Sequence, residues 1–212
     1  MSDEQLRQPP GIDRFSATGA DVEALKQQLS KEAEGRELYF QEMEQDGEQC
    51  VFAYPRAQVM DRIYELAYPV VKMIDDRAMI KVKTNRAVTD FFIIVHSRRS
   101  GTYIGRRGST LNAVEVLIGQ IVSRKFPRWV SITVDVDNYR RKRQAYLEGV
   151  IRRVVRDIER DHRERPIRDL VPKERKFVHS FFTNHPYLTT ESRGEGRKRT
   201  LFVLPRPDIK EI

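Results

Sequence analysis

The sequence predicts a mixed α+β chain divided into one to three small domains, and three observations lead there. Residues 130–136 alternate Val130, Ile132, Val134 and Val136 with Ser131, Thr133 and Asp135, the period-2 pattern of a half-buried strand. Apolar stripes at helical spacing lie on either side: Leu111, Val114, Leu117, Ile118, Ile121 and Val122 before it, and Leu147, Val150, Ile151, Val154, Val155 and Ile158 after it. Charge is also divided along the 212 residues, whose net charge is +8. The first 50 residues hold 5 basic and 12 acidic side chains, net −7, which leaves 34 basic and 19 acidic, net +15, for the remainder.

Residues 1–18 show weak periodicity and contain Pro9, Pro10 and Gly11, which predicts a flexible lead-in with order beginning near Gly19. Val22, Leu25 and Leu29 mark one face of a short helix that ends before Gly35. Residues 37–45 and 48–53 flank Asp46-Gly47, the pattern of a tight hairpin. The acidic piece 19–55 is thus a helix plus a hairpin, either a small domain or an arm that docks on a partner. From Ala57, Ile63, Leu66, Ala67, Val70, Val71 and Ile74 recur at helical spacing, with Pro69 in their midst expected to kink or divide the helix. Residues 78–84 and 89–96 then form a strand pair across Asn85, Arg86 and Ala87, and a loop with Gly101, Gly105 and Gly108 leads into the helix that Pro127 ends. After the strand and the second stripe, the charged stretch 161–165 suggests a boundary near residue 165. Beyond it come a short strand, a helix opened by Pro172, a segment from Thr189 leading to a strand at 201–204, and a tail at 208–212.

The longest apolar runs, 91–95 and 201–204, fall far short of the roughly 20 residues a membrane-spanning helix needs. The N-terminus carries Asp3, Glu4, Pro9 and Pro10 in place of the basic and apolar regions of a secretory signal, so a cytoplasmic location is expected. Cys50 is the sole cysteine, which excludes an internal disulfide and any Cys-x-x-Cys metal site and leaves it as a strand residue. His96, His162 and His185 lack thiols or clustered carboxylates at ligand spacing, so no metal and no cofactor is expected. Asp135 and Asp137 share a strand face, and with His179 they allow a nuclease or phosphatase reading. No nucleophile or metal motif accompanies them, and the plainer reading is solvent-facing carboxylates with Asp137 capping the helix that starts near Tyr139. Phe126 and Trp129 read as packing around Pro127, Trp129 alternatively as a stacking platform, and Tyr103 as packing or as a contact to a base.

The chemistry gathers at Ile104-Gly105-Arg106-Arg107-Gly108-Ser109. Two glycines let the backbone turn with no side chain barring a sugar-phosphate strand, two arginines add positive charge, and the amides opening the next helix point at the phosphate along the helix dipole. A nucleotide P-loop is excluded, because Gly101 is followed five residues later by Arg106 and not by the required glycine. The order helix, two strands, glycine loop, helix, strand, helix over 56–164 resembles a type II KH domain. That resemblance implies a non-enzymatic clamp on the backbone of single-stranded RNA, with bases over a neighbouring apolar groove.

A second motif, Arg175-Lys176-Phe177-Val178-His179, puts Arg175 and His179 four apart on one helix face. With Pro172, Glu174, Ser192, Gly194, Gly196 and Arg199 around it, the stretch 165–207 resembles the small α/β nucleic-acid-binding domain named for its Arg-x-x-x-His (RxxxH) spacing. Arg175, Lys176, His179 and Arg199 are the candidate contacts: Arg175 bidentate to phosphate, His179 donating to phosphate or stacking on a base. Arg140, Arg141, Arg143, Arg152 and Arg156 stud the preceding helix as an auxiliary basic surface that steers RNA toward the clamp.

A KH domain followed by an RxxxH domain resembles the Jag (KhpB/EloR) family of bacterial RNA-binding proteins over residues 57–205, on 104–111, the Asp-Val-Asp-Asn-Tyr-Arg core of 134–143, and 172–179. The N-terminus departs from the Jag-N domain often found in that family. The resemblance implies a post-transcriptional regulator of single-stranded RNA linked to cell elongation and division, with a small KH-only protein as a partner. The alternative is an interaction scaffold that docks a membrane-associated or cell-wall assembly through residues 19–55, RNA binding being secondary.

Overall fold

The computed structural model describes residues 9, 11–45, 47–85, 90–126, 130–196 and 199–206. Two compact units divide between Asp137 and Asn138.

In the first unit, β1 (Phe15–Gly19), β2 (Leu38–Gln45) and β3 (Glu48–Pro55) form an antiparallel sheet in the order β1-β3-β2. α1 (Val22–Glu32) lies on this sheet, with Asp21 accepting from the amides of Glu23 and Ala24 as its N-cap. Leu25 and Leu29 of α1 pack on Val51 and Ala53, with Phe15, Ala17 and Leu38 at the margin. The lead-in ends earlier than the expected Gly19, because Phe15 and Ala17 alternate with polar residues over too few positions to register as a strand until β3 pairs with them. The hairpin is as expected in register, Gln45 facing Glu48 with Gly47 at φ 86°, though Asp46 lies outside the described residues. Cys50 is buried in β3.

The same unit continues with α2 (Arg56–Ile74), β4 (Met79–Thr84), β5 (Asp90–His96), α3 (Ser100–Ile104), a short 3-10 turn at Arg106–Gly108, α4 (Ser109–Ser123) and β6 (Ser131–Val136). α2 is one element through Pro69, which sits on the exposed side, where water can take the carbonyl that the missing N–H leaves. β4 pairs antiparallel with β5, and β5 pairs parallel with β6, so the connection between β5 and β6 must cross over, which α3 and α4 accomplish. Phe91, Ile93, Val95, Val134 and Val136 are buried in alternation, and α2 and α4 pack on the sheet through stripes of Val59, Ile63, Ala67 and Val71 and of Leu111, Val114, Ile118 and Val122. The turn at 86–89 and the segment 127–129, with Pro127 and Trp129, lie outside the described residues.

The second unit holds α5 (Tyr139–Asp161), β7 (Arg165–Ile167), α6 (Pro172–Thr183), β8 (Leu188–Arg193) and β9 (Thr200–Pro205) in a sheet of order β7-β9-β8, antiparallel throughout. Leu147, Ile151, Val154 and Ile158 of α5 share one core with Ile167, Leu170, Val178, Phe182, Leu188, Leu201 and Val203. The boundary expected near residue 165 is therefore displaced to 137/138, since α5 buries its stripe against the strands and helix on its C-terminal side. Asp137, expected to cap α5, does not: Asn138 occupies the N-cap without a side-chain bond, and Asp137 Oδ1 instead meets His96 Nδ1 at 3.0 Å.

Candidate nucleic-acid interface

Gly105 holds φ 67° and ψ −169°, a region essentially closed to side chains, and a Cβ there would lie 2.1 Å from Thr110 Oγ1 and 3.0 Å from the Thr110 amide nitrogen. Arg107 follows at φ 57° and Gly108 at φ 80°. Three positive-φ positions in four residues fold the chain back, so that in place of the expected long glycine loop there is a short helix, α3, and a tight turn into α4. Arg106 and Arg107 stand exposed on that turn, Ser109 is exposed, Ile104 is half-buried and Gly108 is buried beneath them. Gly108 is the N-cap of α4 and offers no side-chain acceptor, and no acidic residue occupies the first turn, so the opening amides and helix dipole of a 15-residue helix remain available to an anion.

Two arginines that the sequence pattern did not single out join this surface. Arg98 and Arg99 are exposed on the turn before α3, and Arg106 and Arg107 on the turn after it, a five-residue helix and so about 7.5 Å apart along its axis. The pairing of two Arg-Arg dipeptides eight residues apart is the signal that could have found them. The first turn is held from below: buried Asp75 accepts from Ser97 Oγ and from the Arg77 amide at 3.1 Å, and Ser97 Oγ accepts from the Arg99 amide at 2.9 Å. The Ser97 and Arg77 bonds hold the Asp75 carboxyl below its ordinary range. Tyr103 is 1% exposed and donates to Val71 O at 2.6 Å, tying α3 to the end of α2. Its role is packing, and contact with a base is closed to it.

On the second unit, Arg175 and His179 lie one turn apart on α6, as their spacing requires. Arg175 is half-buried and donates through Nη1 to Leu170 O at 2.8 Å, so one of its five N–H groups pins the loop before α6 and a fully bidentate phosphate grip is no longer its only task. His179 is exposed, with Nδ1 at 2.6 Å from Thr190 Oγ1 on β8, which leaves Nε2 as the outward nitrogen. Lys176 and Arg199 are exposed. The auxiliary arginines separate. Arg141, Arg152 and Arg156 are exposed and Arg140 is half-buried, whereas Arg143 puts Nε at 2.7 Å and Nη2 at 3.2 Å from the Glu174 carboxylate. Glu174 also accepts from the Val171 amide at 3.0 Å, so Arg143 is an internal tie between α5 and the start of α6. Among the described residues no group of three or more His, Cys, Asp or Glu could hold a metal, and no helix is long and apolar enough to cross a membrane.

A helix presenting Arg and His over a three-stranded sheet, preceded by a long helix sharing its core, decides the likeness of this unit. Residues 145–205 match the R-3-H domain, the domain named for an arginine and a histidine separated by three residues. The match begins inside α5, and so includes a helix that its charge pattern had placed in the preceding domain. Over longer stretches the chain is similar to the RNA-binding protein KhpB of Clostridium symbiosum, 25% identical over 145 residues, 68% of this chain and 65% of the relative. KhpB of Bacillus subtilis is 27% identical over 137 residues, 63% and 64% of the two chains, and KhpB of Streptococcus pneumoniae 23% identical over 176 residues, 81% and 52%. The chain spans less than two thirds of the length of each of these relatives.

Proposed function

We propose that this protein is a non-enzymatic, single-stranded RNA-binding protein in which 104–109 is the backbone clamp of a type II KH-like fold (α2 to β6) and Lys176, His179 and Arg199 form a second contact surface on the second unit. One observation carries the reading: Gly105, Arg107 and Gly108 adopt positive-φ backbone and lift two exposed arginines over an uncapped helix N-terminus. The similarity to proteins named for RNA binding supports it. In this reading the chain acts in the cytosol as a post-transcriptional regulator tied to cell elongation and division. A small KH-only protein and a membrane-associated or cell-wall assembly reached through 19–55 are its partners.

Fluorescence anisotropy with a labelled oligouridylate across a salt series tests the clamp. Arg106→Asp/Arg107→Asp is expected to flatten the slope of log affinity against log salt by about 1.4, the loss of two single-strand phosphate contacts. Lys176→Ala/His179→Ala reads the second surface, while leaving the Arg175 tie intact. Slopes and affinities unchanged in both variants would refute the assignment.

A further inference from the structure

The second unit carries a cleft of about 570 Å³ on the flank of α6 away from Arg175 and His179, lined by Gly149, Arg152, Val155 and Arg156 of α5 and by Phe181 and His185. At 100° per residue, Val178 and Phe182 point α6 into the core, with Arg175 and His179 on one side of that direction and Phe181 on the other. Building on the reading that this chain binds single-stranded RNA, we infer that this cleft is a separate nucleotide subsite, in which a base stacks on Phe181 and its phosphate lies between Arg152 and Arg156.

Three features of the cleft argue for that occupant. Phe181 is 51% exposed, an unfavourable place for a large ring that nothing in its own chain covers, yet its position is firm. The buried Phe182 ring meets it edge-on with centroids 5.2 Å apart, and Phe182 in turn meets His185 at 5.6 Å, which Tyr187 abuts at 4.6 Å. Arg206 fixes the backbone beneath, donating to Thr183 O, His185 O and Leu188 O. A rigid exposed ring at the edge of a cleft is what base stacking needs.

Arg152 and Arg156 are exposed one helical turn apart, and neither has an ion-pair partner among the described residues. The nearby carboxylate of Glu159 is occupied by the Tyr187 hydroxyl. Two uncompensated guanidiniums beside an aromatic face match the alternating charge and ring of a nucleotide strand better than the carboxylates of an acidic peptide, which would leave Phe181 without a stacking partner.

Gly149 is the third feature. A glycine inside a helix weakens it, and a Cβ here would meet nothing within 4 Å, so packing in this chain does not call for glycine. Its bare backbone instead deepens the floor of the cleft.

The test is anisotropy of a labelled oligouridylate on the full chain, with melting temperature as the control for folding. Phe181→Ala and Arg152→Gln/Arg156→Gln are each expected to weaken binding roughly tenfold, the effect of losing one stacked base or its phosphate pair. Phe181→Trp retains native affinity while Phe181→Leu does not, and Arg141→Gln/Arg153→Gln, an equal charge loss outside the cleft, costs markedly less. Gly149→Leu raises the melting temperature yet weakens binding, which a purely structural role would not produce. Native affinity in every cleft variant overturns the subsite while leaving the clamp reading in place. A Phe181→Leu variant as tight as native overturns it in favour of an apolar protein partner. If the native chain binds no RNA, both readings fall.

Discussion

Gly105 shows how much a single residue decides. Its φ and ψ lie where only glycine is at ease, and the Thr110 side chain and amide close the space a methyl would need. Gly105→Ala is expected to cost about 1–3 kcal/mol by denaturant unfolding and to weaken RNA binding together with it, because the turn that lifts Arg106 and Arg107 must open. Gly108→Asn, at φ 80° and ψ 12° where asparagine is tolerated, should do far less. Two glycines three apart are legible as a pair in the sequence, but their unequal tolerance is not, since it depends on Thr110 folding back over one of them. Arg143 and Arg175 make the same point from the other side. Both read as phosphate ligands by charge, and both turn part of their donors inward, to Glu174 and Leu170.

At the scale of elements, the turn before α3 is organised by Asp75 at the end of α2 acting through Ser97 at the end of β5. Hydrogen bonds from Ser97 and the Arg77 amide, with Arg99 and Lys72 adding positive charge nearby, favour the ionised carboxylate, so the folded chain holds a proton on Asp75 less readily than the unfolded chain does. The sign follows: this contribution to stability is complete above the ordinary carboxylate value of 3.8 and is lost as pH falls through the lower folded value. Asp75→Asn is accordingly expected to lower the melting temperature at neutral pH, with the gap to the native chain closing in acid. A constant gap across pH 2 to 7 would count against this account. Neither Asp75 nor Ser97 stands out in the sequence, where each is one polar residue beside an apolar run; only the meeting of two elements distant in the chain gives them their task.

For the molecule as a whole, the second unit closes its core with α5, and this bears on autonomy. Leu147, Ile151, Val154 and Ile158 are each worth about 1.5–3 kcal/mol of burial, against a total stability of roughly 5–15 kcal/mol for a domain. A fragment of residues 138–206 is expected to melt cooperatively, while one of residues 165–207, which lacks those four side chains, is not. Circular dichroism melting of the two decides it, and a cooperative transition in the shorter fragment would contradict the assignment of α5.

Local pattern in the chain suffices for the elements and the sign of their surfaces. Period-2 alternation at 131–136, the 3.6-residue stripes of α4 and α5, the hairpin at Gly47, the glycine pair before α4 and the basic body are all set by residues a few positions apart. Which stripe packs on which sheet, that Phe15 opens a strand, which arginines stay outside and that Phe181 borders a cleft emerge only in the folded chain. An apolar stripe states that a face will be buried but not against what, and a guanidinium states its charge but not its partner. Both are settled only when chain segments far apart in sequence compete for the same surface.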